Sequence, residues 1–193
     1  MIIALCGLKG SGKTTLAKIL SGEIKSNLKI PFFYTRQPLA KPLYLIIETL
    51  MRYQGVSEGD IRFYLHEGRE KPNHYLNDVT TRHALQTLGT EWGREFINPH
   101  LWTDIWQRKY INNNCGPTIV DDLRFLNEDL MFKKLRTKRI RIERPGVELD
   151  PSHISELEQL RIKPDFTIVN DGEPNDMWHQ LVNFLGVSLY GSY

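Results

Sequence analysis

Apolar and polar positions fall in blocks along the chain, and the period of the pattern changes from block to block. Residues 1–6 are all apolar, as in a short strand buried on both faces. Residues 15–24 place Leu16, Ile19, Leu20 and Ile24 at helical spacing, so a helix follows almost at once. Residues 28–34 read as a second strand with aromatic and β-branched members. A proline-containing turn over 36–42 then opens a helical region. Its first helix spans 43–54 and stops near Gly55; a shorter one starts at the Ser57–Asp60 cap and ends around Gly68. Residues 69–74 are polar and without period, and 78–97 is helical again, with Leu85, Leu88 and Trp92 on one side. Asn98-Pro99 breaks the pattern before a helix carrying Leu101, Trp102, Ile105 and Trp106. Helical periodicity assigns Trp92, Trp102 and Trp106 to the core rather than to base stacking.

After a turn over 112–117, strands and helices alternate: strand 118–122, helix 126–135, strand 139–143, a loop opened by Pro145-Gly146, strand 166–169 and helix 176–185. Alternation of this kind implies an α/β fold, a parallel sheet with helices on both faces. The strandless stretch 43–111 is long for such a fold and reads as a helical insertion at the sheet edge. We therefore expect one domain, with a nucleotide-binding core over 1–36 and 114–193 and a helical insertion over 37–113.

The polar break between the first strand and the first helix is Gly7-Leu8-Lys9-Gly10-Ser11-Gly12-Lys13-Thr14. It fits Gly-x-x-x-x-Gly-Lys-Ser/Thr in the strand–loop–helix setting that a phosphate-binding loop requires. Glycines let the backbone turn so that its N–H groups converge on a phosphate, and the helix N-terminus adds to the attraction. Gly10, Ser11, Gly12, Lys13, Thr14 and Thr15 are the candidate ATP-binding residues; Lys13 would reach the β- and γ-phosphates and Thr14 would bind Mg²⁺. The plain alternative is a glycine turn with a solvated lysine. Asp121 and Asp122 end a hydrophobic strand, where a metal-supporting acid belongs, and we assign that role to Asp122. As the alternative, both acids would cap the next helix. Arg124 falls at the carboxyl edge of the sheet, where ligands bind.

Composition narrows the classes. A net charge of +2 with 25% charged residues gives no global signal for nucleic acid or a membrane surface. The basic run Lys133, Lys134, Arg136, Lys138, Arg139, Arg141 and Arg144 spans a helix end and an alternating strand, and no aromatic ladder accompanies it. No apolar run approaches the ~20 residues of a membrane span, and no signal peptide fits. Cys6 and Cys115 read as buried free thiols of a reducing cytoplasm. His74, His83, His100 and His179 lack metal-ligand spacing.

Leu85-Gln86-Thr87-Leu88-Gly89-Thr90-Glu91-Trp92-Gly93-Arg94, with Arg82 upstream, resembles the acceptor-site signature of the bacteriophage deoxynucleoside monophosphate kinases. Val120-Asp121-Asp122-Leu123-Arg124-Phe125-Leu126-Asn127-Glu128, His153-Ile154-Ser155-Glu156 and Ile168-Val169-Asn170-Asp171-Gly172 resemble later segments of that family, in the same order. The resemblance implies a P-loop kinase fold and phosphoryl transfer from ATP, with Mg²⁺, to a deoxynucleoside monophosphate. It implies acceptor contacts from Arg82, Gln86, Gly89, Thr90, Glu91 and Arg94, the face of Arg82, Gln86 and Gly89 placing a cation by the phosphate and an amide by the base. Ala40-Lys41-Pro42-Leu43 resembles the family's Ala-Asp-Pro-Leu-Lys segment but has Lys41 for the acid and Tyr44 for the lysine, so Lys41 or Arg36 supplies the charge there. Arg144 opens the region, about 144–156, where these kinases carry a lid over ATP. The expected catalytic set is Lys13, Asp122, Arg124 and Arg144. The partners are small molecules in the cytoplasm, the host's if a phage encodes the chain, with a homodimer left open. Two other readings share parts of the pattern. Animal-type phosphomevalonate kinase has a similar Asp-x-Arg strand and Asn-x-Gly turn, but the longer Gly-Thr-Glu-Trp-Gly-Arg match favours a nucleotide acceptor. A GTP-dependent switch would need an Asn-Lys-x-Asp segment that the sequence lacks.

Overall fold

A computed structural model describes residues 1–24, 33–113, 116–149 and 154–186. The expected strand residues 28–32, Cys115, His153 and residues 150–153 of the expected lid lie outside them. The chain divides into two compact units, Met1–Pro38 with Tyr110–Tyr193, and Leu39–Lys109.

The first unit is built on five parallel strands in the order β2-β3-β1-β4-β5: β1 Ile2–Cys6, β2 Thr35–Arg36, β3 Thr118–Val120, β4 Lys138–Glu143 and β5 Phe166–Val169. All five residues of β1 are buried, so both faces of this middle strand are covered, as its unbroken apolar run demands. Four of the helices are α1 Lys13–Leu20, α6 Leu126–Lys134, α7 Ile154–Glu158 and α8 Pro174–Leu185. The core joins Ile3 and Leu5 of β1 to Leu16 and Leu20 of α1, Ile140 and Ile142 of β4, and Trp178 and Leu181 of α8. Each such aliphatic side chain contributes about 1.5–3 kcal/mol on burial.

The strand expected to end at Tyr34 is ordered one step later. Thr35 N donates to Pro117 O at 2.8 Å and Gln37 N to Ile119 O at 2.9 Å, so β2 pairs at Thr35–Arg36 and runs into the start of the stretch read as a turn. Much of the basic run serves the fold. Arg139 donates to Asp129 at 3.0 Å and to Asp165 at 2.6 Å, and Lys133 pairs with the buried Asp129 at 2.7 Å.

The second unit contains α2 Lys41–Tyr53, α3 Glu58–Leu65, α4 Thr81–Thr87 and most of α5 Leu101–Asn112. Leu43, Ile47 and Met51 recur four apart along α2 and pack with Ile61, Leu65, Leu85 and Trp102 into a separate core. Ser57 caps α3 by accepting from Asp60 N at 3.1 Å, as its sequence position suggests. The continuous helix expected over 78–97 is different. Asn77 and Asp78 are left-handed, Thr80 caps α4, and from Leu88 to Ile97 the backbone widens into a π-helix.

Candidate active site

The loop after β1 needs glycine at two positions for distinct reasons. Gly7 has φ +133°, and a Cβ there would run into the Ile142 carbonyl of β4. Gly12 has φ +108°, and a Cβ would sit 2.5 Å from Asn170 Nδ2. Asn170, just past β5, donates from that nitrogen to Ser11 O at 2.8 Å and so pins the loop from the far strand. Gly10 is exposed with open space around it, Ser11 is buried, and Thr14 and Thr15 lie in the first turn of α1.

Lys13 folds back across its own loop. Its Nζ donates to the carbonyls of Gly7 at 2.6 Å and Leu8 at 2.7 Å, and lies 3.5 Å from Ser11 Oγ. Burial, with the positive charge of Arg124 adding to it, pushes the Lys13 ammonium down to about 8.

The acid that meets Thr14 is Asp121, not the Asp122 assigned from the sequence. Thr14 Oγ1 donates to Asp121 Oδ2 at 2.8 Å, and Asp121 is buried where β3 ends. Asp122, one residue farther along, is only half-buried. Capping of α6 falls to neither acid: Glu128 Oε2 accepts from Arg124 N at 2.8 Å and Phe125 N at 3.0 Å. Arg36, expected at the acceptor, instead holds Asp121 with Nε at 3.2 Å and Nη2 at 2.9 Å, while Nη1 lies 3.5 Å from Glu23. A hydroxyl and a carboxylate oxygen at one point are the hard donors that Mg²⁺ takes, together with phosphate oxygens. The residues present fit that ion.

Arg124 reaches Glu156 of α7 through Nη1 at 2.6 Å. Arg144 is exposed at the rim of a cavity of about 250 Å³, walled also by Gly7, Leu8, Ser11, Ile142, Val147 and Leu160. The described part of the expected lid turns at Gly146, with Val147 N donating to Arg144 O at 3.2 Å.

In the second unit the family-like segment straddles the change from α- to π-helix. Wider π-turns are rare and concentrate at functional sites. Gly89 does not open space beside a base: it is buried, and a Cβ there would lie 3.1 Å from Leu43 Cδ1. Its carbonyl accepts from Arg94 Nη1 at 2.7 Å and from Trp102 Nε1 at 2.8 Å. Gly93 presses on the Trp102 ring, which buries Trp102 and leaves Trp92 45% exposed, so only Trp102 and Trp106 of the three tryptophans are core. Arg82 and Gln86 are half-buried on α4, Thr90 is half-buried, and Glu91 and Lys41 are exposed. Arg82 donates to Glu70 at 3.2 Å, and Arg69, 3.7 Å from the same carboxylate, donates to the Tyr44 hydroxyl at 3.4 Å. Sequence reasoning gave no role to Arg69, Glu70 or Gln159, and took Asn170 only as part of the turn that closes the last strand. The Arg69-Glu70-Lys71 charge run was the one available signal, and it lay in a segment without period.

Among the described residues, no helix is long and apolar enough to cross a membrane. The family model described as deoxynucleotide monophosphate kinase matches residues 65–181. A protein of Acanthamoeba polyphaga mimivirus named "Putative deoxynucleotide monophosphate kinase" is 30% identical over 199 aligned residues, covering 95% of each chain. "Probable thymidylate kinase 1" of Saccharolobus solfataricus is 39% identical over 49 residues, 25% of this chain and 26% of its own. The crystal structure of shikimate kinase from Aquifex aeolicus vf5 aligns over 99% of this chain and 100% of its own, at 18% identity and a TM-score of 0.43. With the family match spanning more than half of the chain and the viral relative nearly all of it, the protein belongs to the deoxynucleotide monophosphate kinase family and is a nucleotide-binding phosphotransferase.

Proposed function

We propose that the protein transfers the terminal phosphoryl group of ATP to a deoxynucleoside monophosphate. The observation that carries this reading is the Thr14–Asp121 pair beside the Lys13 loop, which puts the parts of a Mg²⁺–triphosphate site in one place. Thr14 and Asp121 would hold the ion, and a divalent cation there offsets the charge of the phosphates. Lys13 exchanges its two loop carbonyls for phosphate oxygens. Arg36 keeps the Asp121 carboxylate in place.

Family membership supports the acceptor class, and we assign its contacts to residues of the second unit. Arg82 and Arg69 offer guanidinium groups that bind a phosphate bidentately, and Gln86 offers an amide to the base. Arg124 and, from the lid, Arg144 neutralise charge as transfer proceeds. An ionised oxygen of the acceptor phosphate attacks the terminal phosphorus, the bond to the bridging oxygen breaks, and ADP leaves. No proton has to be removed, so placement and charge neutralisation carry the rate. With both substrates small molecules of the cytoplasm, the reading carries a cytoplasmic location with it.

Coupled ADP release against every deoxy- and ribonucleoside monophosphate tests the proposal, with Lys13→Ala as control. Release should depend on a deoxynucleoside monophosphate and on Mg²⁺. Release driven by phosphomevalonate and by no nucleotide would replace the acceptor. Tight GTP binding without acceptor-dependent turnover would replace the activity with a switch.

A further inference from the structure

Helix α7 packs against the expectation for its side chains. Ile154 and Leu157 are 51% and 45% exposed, whereas Ser155 and Glu156 are 4% and 2% exposed. The hydrophobic effect would turn the segment the other way. Polar contacts set its orientation instead. Glu156 Oε1 accepts from Arg124 Nη1 at 2.6 Å, and Oε2 accepts from Gln159 Nε2 at 2.6 Å. Gln159 Oε1 accepts from Gly7 N, the first amide of the phosphate loop, at 3.2 Å. The Gln159 amide can face only one way, because a carboxylate only accepts and a backbone N–H only donates. Arg141 grips the end of the same segment, donating to the carbonyls of Gln159 at 3.2 Å, Leu160 at 3.3 Å and Ile162 at 2.6 Å.

A buried ion pair is weak evidence for stability, since apolar packing usually holds a helix as well or better. Here it joins a cation of the site to the loop. We infer that Glu156 and Gln159 are positioning residues for phosphoryl transfer, Glu156 acting through Arg124 and Gln159 through the Gly7 amide. The inference rests on the kinase reading above. Arg124 is held at one end while about a third of its side chain stays exposed, so it presents donors to an anionic oxygen from a fixed place. Transfer is sensitive to such placement, a displacement of about 1 Å being worth about 100-fold.

The test uses Glu156→Gln, which keeps the shape but removes the charge and replaces one of the two acceptor oxygens by a donor, together with Glu156→Asp, Arg124→Ala, the Glu156→Gln/Arg124→Ala double variant and Gln159→Leu. Glu156→Gln should lower kcat about 100-fold with the ATP KM little changed, and Glu156→Asp should recover part of the loss. The double variant should be no slower than Arg124→Ala alone, because Glu156 works through that arginine. Gln159→Leu should weaken ADP binding in calorimetry about tenfold, the loss of one buried hydrogen bond. Losses that multiply in the double variant, or wild-type ADP affinity in Gln159→Leu, would overturn the inference. Should Glu156→Gln fail to fold, Gln159→Leu decides alone. Acceptor-dependent release by the unaltered protein judges the kinase reading separately, and the ADP titration needs no acceptor.

Discussion

Nucleotide binding should weaken with rising pH in a window set by Lys13. This ammonium is buried on two loop carbonyls, and burial, with the positive charge of Arg124 adding to it, pushes it down from 10.5 to about 8. Phosphate oxygens supply the negative charge that burial lacks, so a bound nucleotide returns the group to at least its ordinary value. The interval from about 8 to 10.5 spans about 2.5 pH units at ~1.36 kcal/mol each, or roughly 3 kcal/mol of coupling between proton and phosphate. Below pH 8 the proton is present before and after binding, and affinity is flat. Above it, binding takes up a proton, and the Kd for ADP in metal-free buffer should rise about eightfold from pH 7.5 to 9. Calorimetry at pH 8 in two buffers of different ionisation enthalpy should register uptake of about half a proton per ADP. Burial pushes the nearby Cys6 thiol up, away from this window, and Lys13→Met should abolish both signals. The sign for stability is opposite. The unfolded chain holds the Lys13 proton more tightly between about 8 and 10.5, so this group's contribution to the ligand-free fold is lost as pH falls through 8 and is fully present only above 10.5. A Kd unchanged between pH 7.5 and 9, with no proton uptake, would refute the burial argument.

Three further outcomes follow from the geometry. Gly12→Ala forces a side chain into the left-handed region and against Asn170, which should cost about 1–3 kcal/mol of stability in denaturant unfolding and weaken ADP binding at least tenfold. Asp121→Asn keeps the shape facing Thr14 and Arg36 but removes the charge; Mg²⁺ should then improve ATP affinity about 10–100-fold less than in the wild type, with metal-free ADP binding nearly unchanged in the same titration. Arg82→Ala should raise the acceptor KM about 10–100-fold, the value of one or two charge-assisted hydrogen bonds, and leave the ATP Kd untouched; equal loss of both would remove Arg82 from the acceptor site.

Reading the chain alone recovered what periodicity and spacing encode. The run at residues 2–6, the loop motif and the strand–helix alternation after residue 118 each have a local signature, and the parallel sheet follows from them. The choice between Asp121 and Asp122 has none, since two adjacent acids just past β3 look alike in sequence, and only the fold brings Asp121 to Thr14 and Arg36. The π-helix was equally hidden. Its hydrophobic spacing passes for α-helix, and what widens it is visible only in space: Arg94 and Trp102 both donate to the Gly89 carbonyl. Gly89 looked like room left for a ligand, yet Leu43 fills that room. Glu156 was legible only as part of a resemblance, because nothing in Ile-Ser-Glu-Leu announces a helix with its polar side inward.

The cations of the candidate sites share one arrangement. Lys13 rests on loop carbonyls, Arg36 on Asp121, Arg124 on Glu156, Arg82 on Glu70 and Arg94 on the Gly89 carbonyl. Within each unit, like charges this close would repel and be poorly solvated without such partners. Phosphate binding is then an exchange of oxygen acceptors rather than the capture of an anion by bare charge. The exchange gives up part of the Coulomb gain, but it delivers side chains already confined to a few rotamers, which lowers the entropy lost on binding. It also separates the cations by what they must release. Lys13 leaves neutral carbonyls, whereas Arg36 and Arg124 would have to leave buried carboxylates that are 4% and 2% exposed, at far greater cost. On the function proposed above, Lys13 is therefore the group that would move to the phosphates, and the two arginines would stay where their acids hold them, acting with the donors that remain.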